Sequence, residues 1–269
     1  MASSPSSCSL LFHLLLLIQF CSSRENDENH ITIYGKNKVQ DFDPALKVFF
    51  HVTDLHIGKK MPIYFAKNDP STTPRLLTKE QSDSIPFSSS KLPYLLDLLS
   101  LTKDSPQAKA MDQTLKQCEL EPTPGETRFC ATSLESMLDL TREVLGMVKL
   151  KVLTTNIHNL TESGYTLLQG YTFLKEPSEI QVPDMVACHT MAYPYAVYYC
   201  HAQKGYNRAF KISLGGENGN RIDAIAVCHM DTSKWDRDHV AFRVLGVQPG
   251  TSPVCHFLPA DNIMWIPSV

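Results

Sequence analysis

Hydrophobic residues in this chain recur with two different periods, and the change between them falls near residue 148. Upstream, apolar positions return every three or four residues. Leu92 to Leu101 carries a leucine face behind Pro93. Ser105-Pro106 offers an N-cap with proline at the first helical position, ahead of Ala108, Met111, Leu115 and Cys118. Thr132-Ser133-Leu134-Glu135 has the form of a capping box, after which Leu134, Met137, Leu138, Thr141 and Leu145 line one face until Gly146. From Val148 the period drops to two: Val148, Leu150 and Val152 alternate with Lys149 and Lys151, as in a half-buried strand. Further strands are predicted over 165–174, 196–200, 209–214, 222–229, 239–247 and 254–258, with Gly215 to Gly219 as a hairpin-type turn. Within 222–229 the alternation puts Ala224, Ala226 and Cys228 on one side, and Ile225, Val227 and His229 on the other. Before the helices, 48–52 begins the folded part and 61–66 reads as a strand that Pro62 places near a sheet edge. The expected fold class is α+β: a helical middle segment packed with an antiparallel, β-rich C-terminal half.

The N-terminus changes the picture of where this fold operates. Leu10 to Phe20 is an apolar run, the first charged residue is Arg24, and Cys21 and Ser23 suit the −3 and −1 positions of a signal-peptidase site. A signal peptide is therefore predicted over 1–23, since the run is short of the roughly 20 residues a membrane span needs. Secretion is expected, to the apoplast or vacuole. Its removal takes Cys8 and Cys21 and leaves six cysteines, an even number that in an oxidising compartment points to disulfides. Cys118 and Cys130, at the end of one predicted helix and just ahead of the next, are the favoured pair; the remaining connectivity is open. Asn159-Leu160-Thr161 is a candidate glycosylation sequon. The stretch 24–47 is polar apart from the island Ile31-Thr32-Ile33-Tyr34-Gly35. A net charge of −3 removes the electrostatic case for a nucleic-acid or anionic-membrane partner.

Candidate chemistry concentrates in four Cys-His dipeptides, at 188–189, 200–201, 228–229 and 255–256, separated by 10, 26 and 25 residues. With 8 Cys and 10 His in 269 residues, chance would give about 0.3 such dipeptides. On a strand each dyad sends its thiol to one face and its imidazole to the other. One face can then be stapled by disulfides while the other gathers a metal. Zinc held through the cysteines is disfavoured, because the short-spaced C-x2-C pairs of structural zinc sites are missing and secreted thiols oxidise. A protease-like Cys-His pair needs neighbours in space, and four copies would be redundant. Histidines that merely pack inside a stapled sheet are the bland alternative. An imidazole-ligated transition metal fits the fourfold pattern better, and copper(II) is the tightest-binding divalent ion for such donors.

The dyad spacing resembles the signature of the plant BURP domain. The likeness extends to Val48-Phe49-Phe50 with Leu55 to Met61, to Ser84 to Ser89, to Cys130 to Met137, to Tyr193 to Val197 and to Cys255 to Pro259, covering about 48–266. The short mature N-terminus is most similar to the seed-protein branch. This resemblance implies a signal peptide over 1–23, a short segment over 24–47 and a BURP domain over 48–269. It also implies one of two functions. Some relatives are secreted cell-wall, seed or stress-associated proteins with no assigned chemistry. Others are copper-dependent oxidative peptide cyclases that make burpitides, joining a Tyr or Trp side chain of a ribosomal core peptide to a nearby residue. The core is often carried in the enzyme's own N-terminal region and otherwise in a separate precursor. Carried over by position, His189, His201, His229 and His256 are the copper-associated residues, and Cys188, Cys200, Cys228 and Cys255 their structural partners. The segment 31–34 resembles a cyclopeptide core in which the phenol oxygen of Tyr34 is joined to the β-carbon two residues earlier, at Thr32.

Overall fold

A computed structural model describes residues 47–65, 73–146, 149–158, 168–203, 205 and 207–268, all within the unit Asp43–Val269. The predicted signal peptide, the island around Tyr34 and the sequon at Asn159 lie outside the described residues.

The helices start where side chains replace missing backbone partners. Short helix α1 (Lys79–Asp83), which the periodicity did not single out, is capped by Thr78 and Gln81 in reciprocal hydrogen bonds. It is followed by α2 (Leu92–Leu98) and α3 (Pro106–Glu119). Ser105 Oγ accepts from the Ala108 amide at 3.1 Å at the head of α3. Helix α3 buries Ala108, Met111, Thr114 and Leu115, and its apolar positions pack with Leu95 and Leu96 of α2 and with Tyr193, Tyr195 and Val197. Helix α4 (Leu134–Leu145) has its capping box one residue later than expected: Ser133 is the N-cap and Ser136 reciprocates, which leaves Glu135 in the first turn. Gly146 closes α4 with φ 61°.

Two antiparallel sheets hold the rest. The larger contains β1 (Phe49–Phe50), β2 (Lys60–Ile63), β5 (Asn156–His158), β6 (Gln169–Phe173), β7 (Ser178–Ile180), β10 (Asn207–Gly216), β11 (Arg221–His229) and β12 (Val254–Phe257), in the order β1-β12-β11-β10-β6-β2 with β5 on β11 and β7 on β10. Pro62 does sit on an edge strand, where its missing N–H breaks no ladder. The smaller contains β3 (Glu126–Ala131), β4 (Leu150–Leu153), β8 (Val186–Met191), β9 (Val197–Gln203) and β13 (Ile263–Pro267), ordered β3-β9-β8-β13-β4.

The alternation in β11 is as read from the sequence. Ile222, Ala224, Ala226 and Cys228 join an aromatic core with Phe50, Phe65, Tyr171, Phe173 and Phe257. Phe257 sits 4.6 Å from Phe50 between ring centroids, and each such buried ring contributes roughly 1.5–3 kcal/mol. Ile225 and Val227 face the other way, against Leu153, Met264 and Ile266 of the smaller sheet. The outer face of that smaller sheet is covered by α4, with Cys188, Cys200, Trp265 and Met137 between. Thr155 stitches the layers: its hydroxyl donates to the Leu258 carbonyl at 2.6 Å and accepts from the Ile225 amide at 3.1 Å.

One predicted strand is wrong. The stretch 239–247 forms helix α5 (Val240–Leu245), with His239 accepting from the Ala241 amide and Gly246 at φ 67° as its C-cap. Its apolar run is β-branched and reads as strand, yet the two caps and the burial of adjacent Ala241 and Phe242 favour a turn and a half of helix. The strand β3, which carries Cys130, was missed because Glu126-Thr127-Arg128 offers little apolar alternation.

Candidate metal centre

Each dyad lies on a strand, and each strand meets the strand carrying another dyad. Cys188 of β8 is directly opposite Cys200 of β9, and Cys228 of β11 is directly opposite Cys255 of β12. Both pairs are disulfide-bonded with Cα atoms 4.0 Å apart, and Cys118 is bonded to Cys130. All four dyad sulfurs are buried with no exposed surface. The neighbouring imidazoles point to the opposite faces, and those two faces look at each other across the gap between the sheets.

The four rings consequently meet. His189 and His201 are 5.3 Å apart between centroids, His229 and His256 5.6 Å. Contacts across the sheets are as close: His189 to His256 is 5.9 Å and His201 to His229 6.2 Å. Nε2 of His189 lies 3.2 Å from Nε2 of His201. Burial keeps the cluster neutral. It lowers the pKa of His189 and His229 well below the ordinary histidine value, reinforced by the charge each neighbouring imidazole would carry. Burial lowers His201 as well, and takes His256 down to about 4.

Polar neighbours orient the rings. Asn207 donates through Nδ2 to the Gln203 carbonyl at 2.8 Å, so its Oδ1 accepts from Nδ1–H of His229 at 3.0 Å. The Phe257 carbonyl accepts from Nδ1–H of His256 at 3.3 Å. Nδ1 of His201 faces Oε1 of Glu126 at 4.0 Å; Glu126 itself is held by Thr123. Asn262, 5% exposed, lies 2.8 Å from Nδ1 of His189. One wall is aromatic: Trp235 packs 4.9 Å from His229 and 4.6 Å from His239. A cleft of about 460 Å³ opens beside the cluster between α3 and β8, lined by Gln113, Thr114, Gln117, His189, Met191 and Tyr199.

The residues suit a transition metal in kind. Four neutral imidazoles offer nitrogen donors, and the sulfurs are engaged elsewhere. Among the described residues no three or more His, Cys, Asp or Glu side chains already form a ready-made cage around one ion position. The rings therefore touch without all aiming at a common point.

The profile of the BURP domain family matches residues 48–267. This chain belongs to the BURP family. The BURP domain protein USPL1 of Arabidopsis thaliana is 50% identical over 227 residues, 83% of this chain and 81% of the relative. BURP domain-containing protein BNM2A of Brassica napus is 44% identical over 270 residues, 97% of this chain and 96% of the relative. BURP domain-containing protein 6 of rice (Oryza sativa subsp. japonica) is 40% identical over 225 residues, 83% and 90%. The chain is thus a plant BURP-domain protein.

Within this BURP domain the fold assembles all four dyad histidines in one place and pairs all six cysteines of 24–269. The other histidines divide. His56, inside the stretch resembling the family's opening, is exposed with Nδ1 3.1 Å from the Ile57 carbonyl. His158 is exposed on Asp223 at 3.0 Å. His239 was given no special role by sequence reasoning, yet it lies against Trp235 at the cluster's edge. Asn207, Asn262 and Glu126 were not singled out either. They lie far from their histidine partners in the chain or outside any motif, so nothing short of the folded register connects them.

Proposed function

We propose that this BURP protein is a secreted, copper-dependent oxidative peptide cyclase, an oxidoreductase-type enzyme that makes a side-chain crosslink at a tyrosine of a ribosomal core peptide. Its own Tyr34 is the proposed substrate residue. The observation carrying this reading is the inter-sheet cluster of four imidazoles, which burial keeps uncharged and which disulfides on the opposite faces hold together. His201, His229, His256 and His189 are the residues that would hold copper. Bound there, copper together with an oxidant such as O2 supplies the removal of hydrogen from unactivated positions, which no amino-acid side chain achieves alone.

The bond formed joins the phenol oxygen of Tyr34 to the β-carbon of Thr32, and because that carbon already bears a hydroxyl the product is a hemiketal, seen as a crosslinked fragment and not by mass alone. One hydrogen leaves each partner, and two protons and two electrons pass to the oxidant. The chain's own residues supply position and exclusion of water. The cleft at His189 is bounded by Gln113 and Gln117, whose amides suit an extended peptide, and by the Tyr199 ring. Trp235 packs on the His229 ring at 4.9 Å and covers that part of the cluster. Tethering also favours an intramolecular reaction. The first described strand enters beside the cluster, with the Phe49 ring 6.1 Å from that of His256. Tyr34 precedes Phe49 by 15 residues in the same chain, so a core there is tethered to the enzyme and the encounter is intramolecular.

Incubating the copper-loaded secreted protein in air and measuring the mass of the peptide containing 31–34 tests the proposal. Loss of two hydrogens is expected, and an unchanged mass argues against it. Tyr34→Phe separates the fused-core reading from action on a separate precursor: if product formation on an added precursor survives that change, the substrate is another chain. No crosslinking under any of these conditions would leave the other reading, a non-catalytic secreted protein associated with cell-wall components.

A further inference from the structure

We propose that Asn262 is a positioning residue that sets His189 apart from the other three histidines, holding it in the tautomer that cannot ligate a metal through the ring nitrogen facing the cluster. A backbone N–H only donates, so the Thr190 amide, 3.3 Å away, fixes Oδ1 of Asn262 as its acceptor. That leaves Nδ2 of Asn262 facing Nδ1 of His189 at 2.8 Å, and an amide nitrogen only donates. Nδ1 of His189 must therefore be the bare nitrogen, and a neutral His189 carries its proton on Nε2. From there the proton points at Nε2 of His201, 3.2 Å away.

The other three are wired the opposite way. His229 donates Nδ1–H to Asn207, and His256 donates Nδ1–H to the Phe257 carbonyl. Nε2 of His201 accepts the hydrogen bond from Nε2–H of His189, so its own proton sits on Nδ1, toward Glu126. Three rings thus present unprotonated Nε2 atoms to the cluster, and one presents an N–H. For His189 to ligate through Nε2, its proton must move to Nδ1, where it meets the Asn262 amide hydrogens. Relief requires turning the Asn262 side chain over, which turns its NH2 on the Thr190 N–H. His189, the dyad histidine that lines the 460 Å³ cleft, is in consequence the weakest ligand of the four.

The inference rests on the metal reading above only for its second test. First, long-range 1H–15N correlation spectra of the metal-free protein with 15N-labelled histidine report each tautomer directly. His189 is expected as Nε2–H, with His201, His229 and His256 as Nδ1–H; finding His189 as Nδ1–H overturns the proposal. In Asn262→Asp, whose carboxylate accepts from both Thr190 and His189, the His189 signal should move to the Nδ1–H pattern while His229 and His256 stay put. A His189 signal unmoved in a folded Asn262→Asp protein also overturns it, and the wild-type spectrum decides the matter alone should that variant not fold. Second, copper(II) titration of the full secreted protein should show His189→Ala weakening binding by less than about 10-fold, against more than about 100-fold for His229→Ala, with Asn262→Asp binding more tightly than wild type. Equal losses for His189→Ala and His229→Ala refute the assignment. If wild type takes up no copper at all, the metal reading fails while the tautomer spectrum still judges Asn262.

Discussion

Removing the Cys228–Cys255 bridge should cost stability and spare the imidazole cluster, whereas removing His229 should do the reverse. The two side chains leave adjacent positions of β11 for opposite faces, so the experiment tests whether those faces are separable. The bridge closes a chain of sequence separation 27, for which the loop-entropy relation gives roughly 3.6 kcal/mol. The other bridges, at separation 12, give about 2.9 kcal/mol each. Both sulfurs are fully buried in the aromatic core, so the double substitution Cys228→Ala with Cys255→Ala avoids stranding a hydroxyl there and loses little besides the crosslink. Denaturant unfolding of the metal-free protein reads the loss as a lower midpoint, with a steeper slope because the uncrosslinked unfolded chain exposes more surface. Copper uptake measured on the same sample should stay near the wild-type stoichiometry. His229→Ala should lower stability by about 1–2 kcal/mol, less than loss of the bridge, by leaving Asn207 Oδ1 without its donor and Trp235 without one ring contact, and should abolish copper uptake. If the two variants lose stability and metal binding in the same proportion, the division between a sulfur face and a nitrogen face is wrong.

Acid should destabilise the metal-free protein early. The folded-state pKa of His256 is depressed to about 4 from an ordinary 6.5, so the unfolded chain binds more protons between those values. The stability this histidine contributes is therefore present above about pH 6.5 and lost as pH falls toward 4, on the order of 3 kcal/mol for His256, read as a falling unfolding midpoint across that window. A flat profile between pH 7 and 4 would contradict the buried neutral cluster. Thr155→Val should cost about 2–3 kcal/mol, since it removes the donor to the Leu258 carbonyl and the acceptor of the Ile225 amide inside the core, while Thr155→Ser should recover most of that in the same denaturation assay. Gly246→Ala should cost about 1–2 kcal/mol by forcing a side chain into the left-handed cap of α5, because an added Cβ meets no neighbour there and backbone strain is the whole effect. His56→Ala should leave copper uptake unchanged, as its ring is exposed and bonded to a neighbouring carbonyl.

The register of single strands was written in the local sequence. Side chains on a strand must alternate, so the placement of Cys228 and His229 on opposite faces of β11 follows from adjacency alone, as does the aromatic side of 222–229. The helix heads at Ser105 and the stop at Gly146 were equally legible, because capping is a matter of a few consecutive residues. Where local signals conflicted the reading failed. The β-branched run 239–247 became helix α5 through caps and burial that its periodicity does not express. What no stretch of sequence contains is the facing of β8–β9 against β11–β12, which turns four separate imidazoles into one cluster. Nor does it contain the arrival of Asn207, Asn262 and Glu126 at the outer nitrogens of those rings. Alternation is fixed by backbone geometry within a few residues, whereas the meeting of two sheet faces depends on how their cores pack. Composition and order thus determined which atoms each strand offers, and tertiary packing alone decided which of them meet.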